Sequence, residues 1–237
     1  MLAIQPTERV LSMLFNSYIF VLFFLPCCIG VYFGLNRLKL PRLAMLFLLG
    51  MSLWFYGYFN PSYLLIMGSS IVINYLVYLA LRRCLADGKT LLKKLCLAAA
   101  LLFNVGLLFY FKYFDFFIEN VNLLFKTDFA LRYIVLPLGI SFFTFQQLSF
   151  VIDAYKGQLP HYNFVDYACF VTYFPQLVAG PIVTHDELVP QFMDETKKHF
   201  NWDNMAQGLY IFALGMAMIF RRIRMPLGWR SITSPRT

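Results

Sequence analysis

An all-α, multi-pass integral membrane fold follows from three features of this sequence. Residues 43–81 run through thirty-nine positions without one charged side chain, interrupted only by the turn-like Gly57-Tyr58-Phe59-Asn60-Pro61. The chain is 60% hydrophobic and only 14% charged, where soluble domains carry about 25% charged residues. Its cations fall in short blocks between apolar runs. Roughly 20 apolar residues at 1.5 Å each cross a hydrocarbon layer of about 30 Å, so residues 43–81 read as two spans nearly back to back.

Taken in order, hydrophobic segments fall at residues 14–35, 43–59, 61–81, 95–111, 133–152, 167–183 and 204–220, six to seven spans with the later ones broken or re-entrant. The first runs on past Leu25-Pro26-Cys27 to Leu35 without a small-residue cleavage pattern, and reads as an uncleaved span. The second stops at Asn60-Pro61, because proline disfavours helical backbone in the residue before it. Cys27, Cys28, Cys84, Cys96 and Cys169 lie in or beside apolar segments without paired ligand spacing, and read as small hydrophobes. No internal repeat or long linker divides the chain, so one membrane domain is expected.

The net charge of +8 does not point to nucleic acid, because the cations line no amphipathic face with interleaved aromatics. Arg37, Lys39 and Arg42 share one loop without an anion, and Arg82, Arg83, Lys89, Lys93 and Lys94 share the next but one with only Asp87 opposing. Two spans separate these loops, which puts both on one side. The positive-inside rule makes that side the cytoplasm and the N-terminus periplasmic. Residues 112–132, with three cations against three anions, are expected to emerge outside.

Two segments carry features a lipid-facing helix does not need. Leu136-Pro137-Leu138-Gly139-Ile140-Ser141-Phe142-Phe143-Thr144-Phe145-Gln146-Gln147 combines a helix breaker, a glycine, two hydroxyls and two amides. Phe174-Pro175-Gln176-Leu177-Val178-Ala179-Gly180-Pro181 sets an amide between two prolines. Broken backbone at membrane depth is tolerated where it is buried in protein or lines a wet cavity, and the Gln146 and Gln176 amides would be satisfied there. Helix packing alone also uses proline, glycine, Ser, Thr and Gln. Asp153, beside Tyr155 and Lys156, reads as an interfacial helix-end or hydrogen-bonding residue, since a carboxylate at mid-bilayer costs about 2.5–3.5 kcal/mol.

These segments resemble the membrane-bound O-acyltransferases, in the bacterial branch of alginate O-acetylation proteins and the D-alanyl transfer protein of teichoic acids. The likeness rests on the two stretches above, on Ile152-Asp153-Ala154-Tyr155, on Met13-Leu14-Phe15-Asn16-Ser17-Tyr18-Ile19-Phe20, on Trp54-Phe55-Tyr56-Gly57-Tyr58 and on Gly208-Leu209-Tyr210-Ile211-Phe212-Ala213-Leu214-Gly215. It covers residues 13–218. The resemblance implies a ring of helices in the bacterial inner membrane, around a thin centre where a cytosolic acyl thioester meets an outward-facing hydroxyl. Acetyl-CoA or another acyl thioester is the implied donor, and an exported cell-envelope polysaccharide such as alginate the acceptor. Besides the lipid bilayer, periplasmic acetyl-transfer proteins are the implied partners. Ser141, Thr144, Gln146, Asp153, Tyr155, Gln176, Gly180 and Pro181 are the implied lining of the substrate tunnel. No bound cofactor or metal is implied.

The hydroxyl must lose a proton as it attacks the thioester, a task suited to histidine. The family's base lies in a W-H-x-W-H helix, and no such motif occurs in this sequence, so no catalytic residue is assigned. His161, His185 and His199 lie in polar or turn-rich connections and read as solvated loop residues. His185 with Asp186 and Glu187 suggests at most weak cation binding, because adjacent residues do not converge as i, i+4 ligands do.

Residues 1–12 precede the family-like start at Met13 and read as an upstream extension; residues 13–218 are the membrane domain. Residues 219–237 form an atypical basic tail, with Arg221, Arg222, Arg224, Arg230 and Arg236 and no anion. That tail reads as out of frame, and the chain as an N-terminal fragment of a product about twice as long, inactive alone for want of its base. The alternative is a non-catalytic membrane protein, a transporter or an assembly partner, although the repeated halves typical of transporters are absent.

Overall fold

A computed structural model describes residues 17–177 and 183–224, apart from the side chains of Phe59, Glu195 and residues 219–224. The extension at 1–12, the tail beyond 224, and Gly180 with Pro181 lie outside the described residues.

The first half folds as helical hairpins because the sequence supplies a stop after each helix. A π-turn at Phe20–Phe24 leads into α1 (Leu25–Arg37), followed by α2 (Pro41–Phe59), α3 (Pro61–Ala86) and α4 (Thr90–Leu108). After α1 the chain closes a Schellman turn: Lys39 takes the left-handed conformation at φ 58°, and Leu40 N–H donates to Leu35 O at 3.0 Å. Gly88, at φ 68°, does the same after α3, where Lys89 N–H donates to Cys84 O at 3.0 Å. Between α2 and α3 the Asn60 carboxamide caps the new helix, accepting from Ser62 N–H at 2.9 Å, and Pro61 needs no partner at N1. The stop at Asn60-Pro61 is therefore where the sequence puts it.

Beyond α4 the chain stays helical past the apolar segment that ends at residue 111. A second π-turn, Phe109–Tyr113, carries the chain straight into α5 (Phe114–Phe125), so Thr90–Phe125 is helical for 36 residues. At 1.5 Å per residue that is about 54 Å, well beyond the hydrocarbon thickness. Polar groups of this stretch fasten the next stretch of chain. Asp115 accepts from the Arg132 and Ile134 N–H groups, both at 2.9 Å, and Asn122 exchanges hydrogen bonds with Phe129 at 2.9 Å each way. Residues 127–138 thus run back along α5 without helical structure.

Two expected spans are likewise broken. The 133–152 segment becomes helical only at α6 (Ile140–Lys156), after Gly139 at φ 70°, and α6 ends in a third Schellman turn at Gly157. The 167–183 segment divides into α7 (Phe164–Thr172) and α8 (Phe174–Leu177), where Tyr173 leaves helical backbone. The chain continues through α9 (His185–Met193), a 3₁₀ turn at Glu195–Lys198 and α10 (Trp202–Arg224). Among the described residues three helices, Phe20–Arg37, Pro61–Ala86 and Thr90–Phe125, are long and apolar enough to cross a membrane. There is no strand among the described residues.

Aromatic packing holds the two halves together. Phe174 of α8 meets Phe24, Phe55 and Phe20 with ring centroids at 5.0, 5.6 and 6.1 Å. Phe150 of α6, wholly buried, lies 4.4 Å from Tyr167 of α7 and 5.1 Å from Tyr78 of α3. Meanwhile Leu65, Leu102 and Leu123 are 77, 76 and 82% exposed. Large apolar side chains exposed along helices of this length suit a lipid surround.

Candidate functional site

Gly139 is where the two broken segments meet. A Cβ there would stand 2.7 Å from the Leu177 carbonyl oxygen, so only glycine lets the start of α6 rest on α8, and its φ of 70° is one that glycine adopts freely. The Leu138 carbonyl beside it accepts from the Tyr56 hydroxyl at 2.8 Å, which ties this junction to α2. Stretches 136–147 and 174–177, singled out separately in the sequence, are therefore one structural feature.

From that junction α6 carries a run of buried polar side chains. Thr144 and Gln147 are wholly buried and Gln146 is 3% exposed; Gln176 of α8 is 7% exposed. Gln147 Oε1 accepts from Ser70 Oγ at 2.8 Å and from the Asn74 amide. Asn74 and Asn104 pair reciprocally, at 3.2 and 2.7 Å, and Asn104 also donates to the Ala100 carbonyl at 2.8 Å. The network joins α3, α4 and α6 at their centre. Thr144 Oγ1, Gln147 Nε2 and Gln176 Nε2 are buried without a hydrogen-bond partner among the described residues. Buried donors of this kind call for water or a ligand.

At the far end of α6 a second cluster forms. Asp153 Oδ2 accepts from His185 Nε2 at 3.2 Å, and Lys156 lies 3.4 Å from the other carboxylate oxygen. His185 Nδ1 is 3.0 Å from Asp186 Oδ1 and 3.5 Å from the Tyr162 hydroxyl. The expectation that His185 is a solvated loop residue is overturned: its side chain is 6% exposed, edge-on to Phe150 and Tyr162. It opens α9 rather than a loop, and α9 packs that first residue against α6 and α7. His185, Asp153 and Asp186 do converge, with ligand atoms within 4.8 Å of one another. The two carboxylates face opposite ring nitrogens. Asp153 is thus the helix-end hydrogen-bonding residue that was expected.

The other expected residues are dispersed. Ser141, at the start of α6, is 3.4 Å from Lys112 Nζ, and Tyr155 lies under Lys93 Nζ at 4.4 Å from its ring centroid. His161 and His199 are exposed, as the sequence suggests. Sequence reasoning passed over Ser70, Asn74 and Asn104, although each interrupts an otherwise apolar run, which is the available signal for an interior-facing residue.

Together these features define an all-α integral membrane protein with a polar seam along α6. No family model matches the chain, and no solved structure matches it. It is 39% identical over 236 residues to the peptidoglycan O-acetyltransferase of Helicobacter pylori, covering 88% of this chain and 44% of that protein. It is 35% identical over 208 residues to the probable alginate O-acetylase AlgI of Pseudomonas aeruginosa (86% and 38% covered) and 34% to that of Azotobacter vinelandii (86% and 40%). The chain belongs to the membrane-bound O-acyltransferase-like family of O-acetyltransferases. It spans less than half the length of the curated relatives it matches.

Proposed function

We propose that this chain forms part of a membrane O-acetyltransferase that moves an acetyl or other short acyl group onto hydroxyls of an exported cell-envelope polysaccharide. Its likeness to a peptidoglycan O-acetyltransferase and to alginate O-acetylases carries the reading. In it, acetyl-CoA or another acyl thioester reaches the α6 seam from the cytosol, and the polysaccharide, alginate or peptidoglycan glycan, arrives from the periplasm with periplasmic acetyl-transfer proteins. The protein resides in the bacterial inner membrane with its N-terminus periplasmic.

The buried donors favour this chemistry. Thr144 Oγ1, Gln147 Nε2 and Gln176 Nε2 are unpartnered among the described residues, and such donors stabilise negative charge on a thioester carbonyl under attack when they reach it. Ser141, Gln146, Asp153 and Tyr155, all on α6, are the further candidates along the proposed path. His185 is poorly suited to take the proton, because a carboxylate faces each ring nitrogen; a histidine outside these residues takes it, and the chain alone is inactive.

Deleting the gene and measuring ester-linked acetate, released by mild base from each envelope polysaccharide, tests the reading. Loss from one polymer with restoration by the intact gene is expected. Unchanged acetate on every polymer refutes it, and ester formation by the purified 237-residue chain refutes the assignment of the base elsewhere.

A further inference from the structure

The carboxamide of Gln147 has a donor end and an acceptor end of nearly the same shape, and its neighbours decide which faces where. The oxygen is turned toward α3, where Oε1 accepts from Ser70 Oγ at 2.8 Å and from Asn74 Nδ2. The nitrogen is left over: Nε2 is buried without a hydrogen-bond partner among the described residues. Thr144, one turn earlier on the same face of α6, carries a second such atom in its Oγ1.

Backbone carbonyls fix that direction. Asn74 Nδ2 donates to the Ser70 carbonyl at 2.9 Å, and Asn104 Nδ2 to the Ala100 carbonyl at 2.8 Å, each four residues earlier on its own helix. A carbonyl only accepts, so neither asparagine can present its oxygen there. The reciprocal pair between the two, at 3.2 and 2.7 Å, locks both side chains in that sense. Asn74 therefore meets Gln147 with N–H, and a reversed Gln147 would set donor against donor. The Ser70 hydroxyl is oriented likewise: its oxygen accepts from Asn74 Nδ2 at 3.5 Å, which turns its own proton to Gln147. Ser70, Asn74, Asn104 and Gln147 are all wholly buried, so bulk water does not compete for these groups.

We propose that Ser70 and Asn74, held by Asn104, are positioning residues that keep Gln147 Nε2, rather than Oε1, facing the acyl carbonyl. They act through Gln147 and do not themselves touch the substrate. The orientation suits a ligand atom that only accepts, because Nε2 and Thr144 Oγ1 can both donate to it. An Oε1 in the same place would repel an oxygen that is gaining negative charge, as a thioester carbonyl does under attack. The assignment rests on the acyl-transfer reading, to which it adds the part played by α3 and α4.

The test compares variants of the intact gene in the deletion strain, as the rate of ester-linked acetate formation on the responsive polymer per unit of enzyme on immunoblots. Gln147→Leu should lower the rate about 10²-fold, the effect of losing one oxyanion donor. Asn74→Leu should lower it about tenfold, the worth of one orienting hydrogen bond, and Ser70→Ala severalfold. Ser69→Ala removes an exposed hydroxyl bonded to the Ile66 carbonyl of its own helix at 3.0 Å, and should leave the rate unchanged. In the Gln147→Leu background, Asn74→Leu should cost less than about twofold more, because its route to the carbonyl is already gone. A purely structural role would repeat the tenfold cost there, and that result overturns the proposal, as does an unchanged rate in Gln147→Leu. Since two core substitutions could together unfold the protein, Ser70→Ala is compared in the same two backgrounds. If the wild-type gene restores no acetate to any polymer, the acyl-transfer reading itself fails, and the proposal with it.

Discussion

Replacing His185 with alanine tests the clamp between α6 and α9. The imidazole is 6% exposed and bridges Asp153, 22% exposed, and Asp186, 72% exposed. Removing one partner of a buried hydrogen bond to a charged group costs about 1.5–3 kcal/mol. Here the loss is smaller, because Asp186 rehydrates freely and Asp153 keeps Lys156 at 3.4 Å, leaving roughly 1–2 kcal/mol. The vacated ring volume beside Phe150 and Tyr162 adds about 1–2 kcal/mol. The sum, about 2–4 kcal/mol, corresponds to a fall in unfolding temperature of roughly 4–12 °C for a chain of this size. Thermal unfolding in detergent, followed by fluorescence, reads it. His161→Ala and His199→Ala, at exposed positions, should shift the midpoint by under about 1 °C. A His185→Ala midpoint within that control range would show that the histidine carries no packing or charge role, and the clamp would be wrong.

Gly139→Ala should cost more than about 2 kcal/mol, since φ 70° and the Leu177 carbonyl both oppose a methyl; Gly68→Ala, with open space around a mid-helix glycine, should be neutral or stabilising by up to about 1 kcal/mol, and thermal unfolding of the pair checks the contrast. Asn74→Leu removes donors to Gln147 and Asn104 and should destabilise by about 1–2 kcal/mol; a double-mutant cycle with Gln147→Leu should recover about half a kilocalorie or more of coupling. Asp194 caps the 3₁₀ turn: hydrogen bonds from the Thr196 hydroxyl and N–H, at 2.7 and 2.9 Å, hold its carboxyl below the usual range. Its stabilisation is complete above the unfolded value near 3.9 and is lost as pH falls through the lower folded value. Amide exchange at Lys197 and Lys198 should therefore rise only below about pH 4, and should do so at every pH in Asp194→Ala.

Local chemistry made much of the fold legible. A run of thirty-nine uncharged residues can be stable only in lipid or deep in protein, and Asn60-Pro61 stops a helix because proline disfavours helical backbone in the residue before it. Charge pattern could not show that Asp115 and Asn122 bind backbone groups of residues 129–134, because those bonds depend on how the chain doubles back along α5. A hydrophobic window also cannot see Gly139, whose left-handed backbone delays α6 by several residues.

For the candidate site the division runs along sequence distance. Composition and hydropathy alone determined an all-α membrane protein, since both depend on solvent and on neighbours along the chain. Only the tertiary structure decided that Gly139 rests on Leu177, that Asn74, Asn104 and Gln147 share one network, and that His185 is buried against Asp153. Those partners are thirty or more residues apart. A histidine after a proline-rich stretch has the same local chemistry whether water or a carboxylate meets its ring, and packing of α9 on α6 and α7 makes that choice.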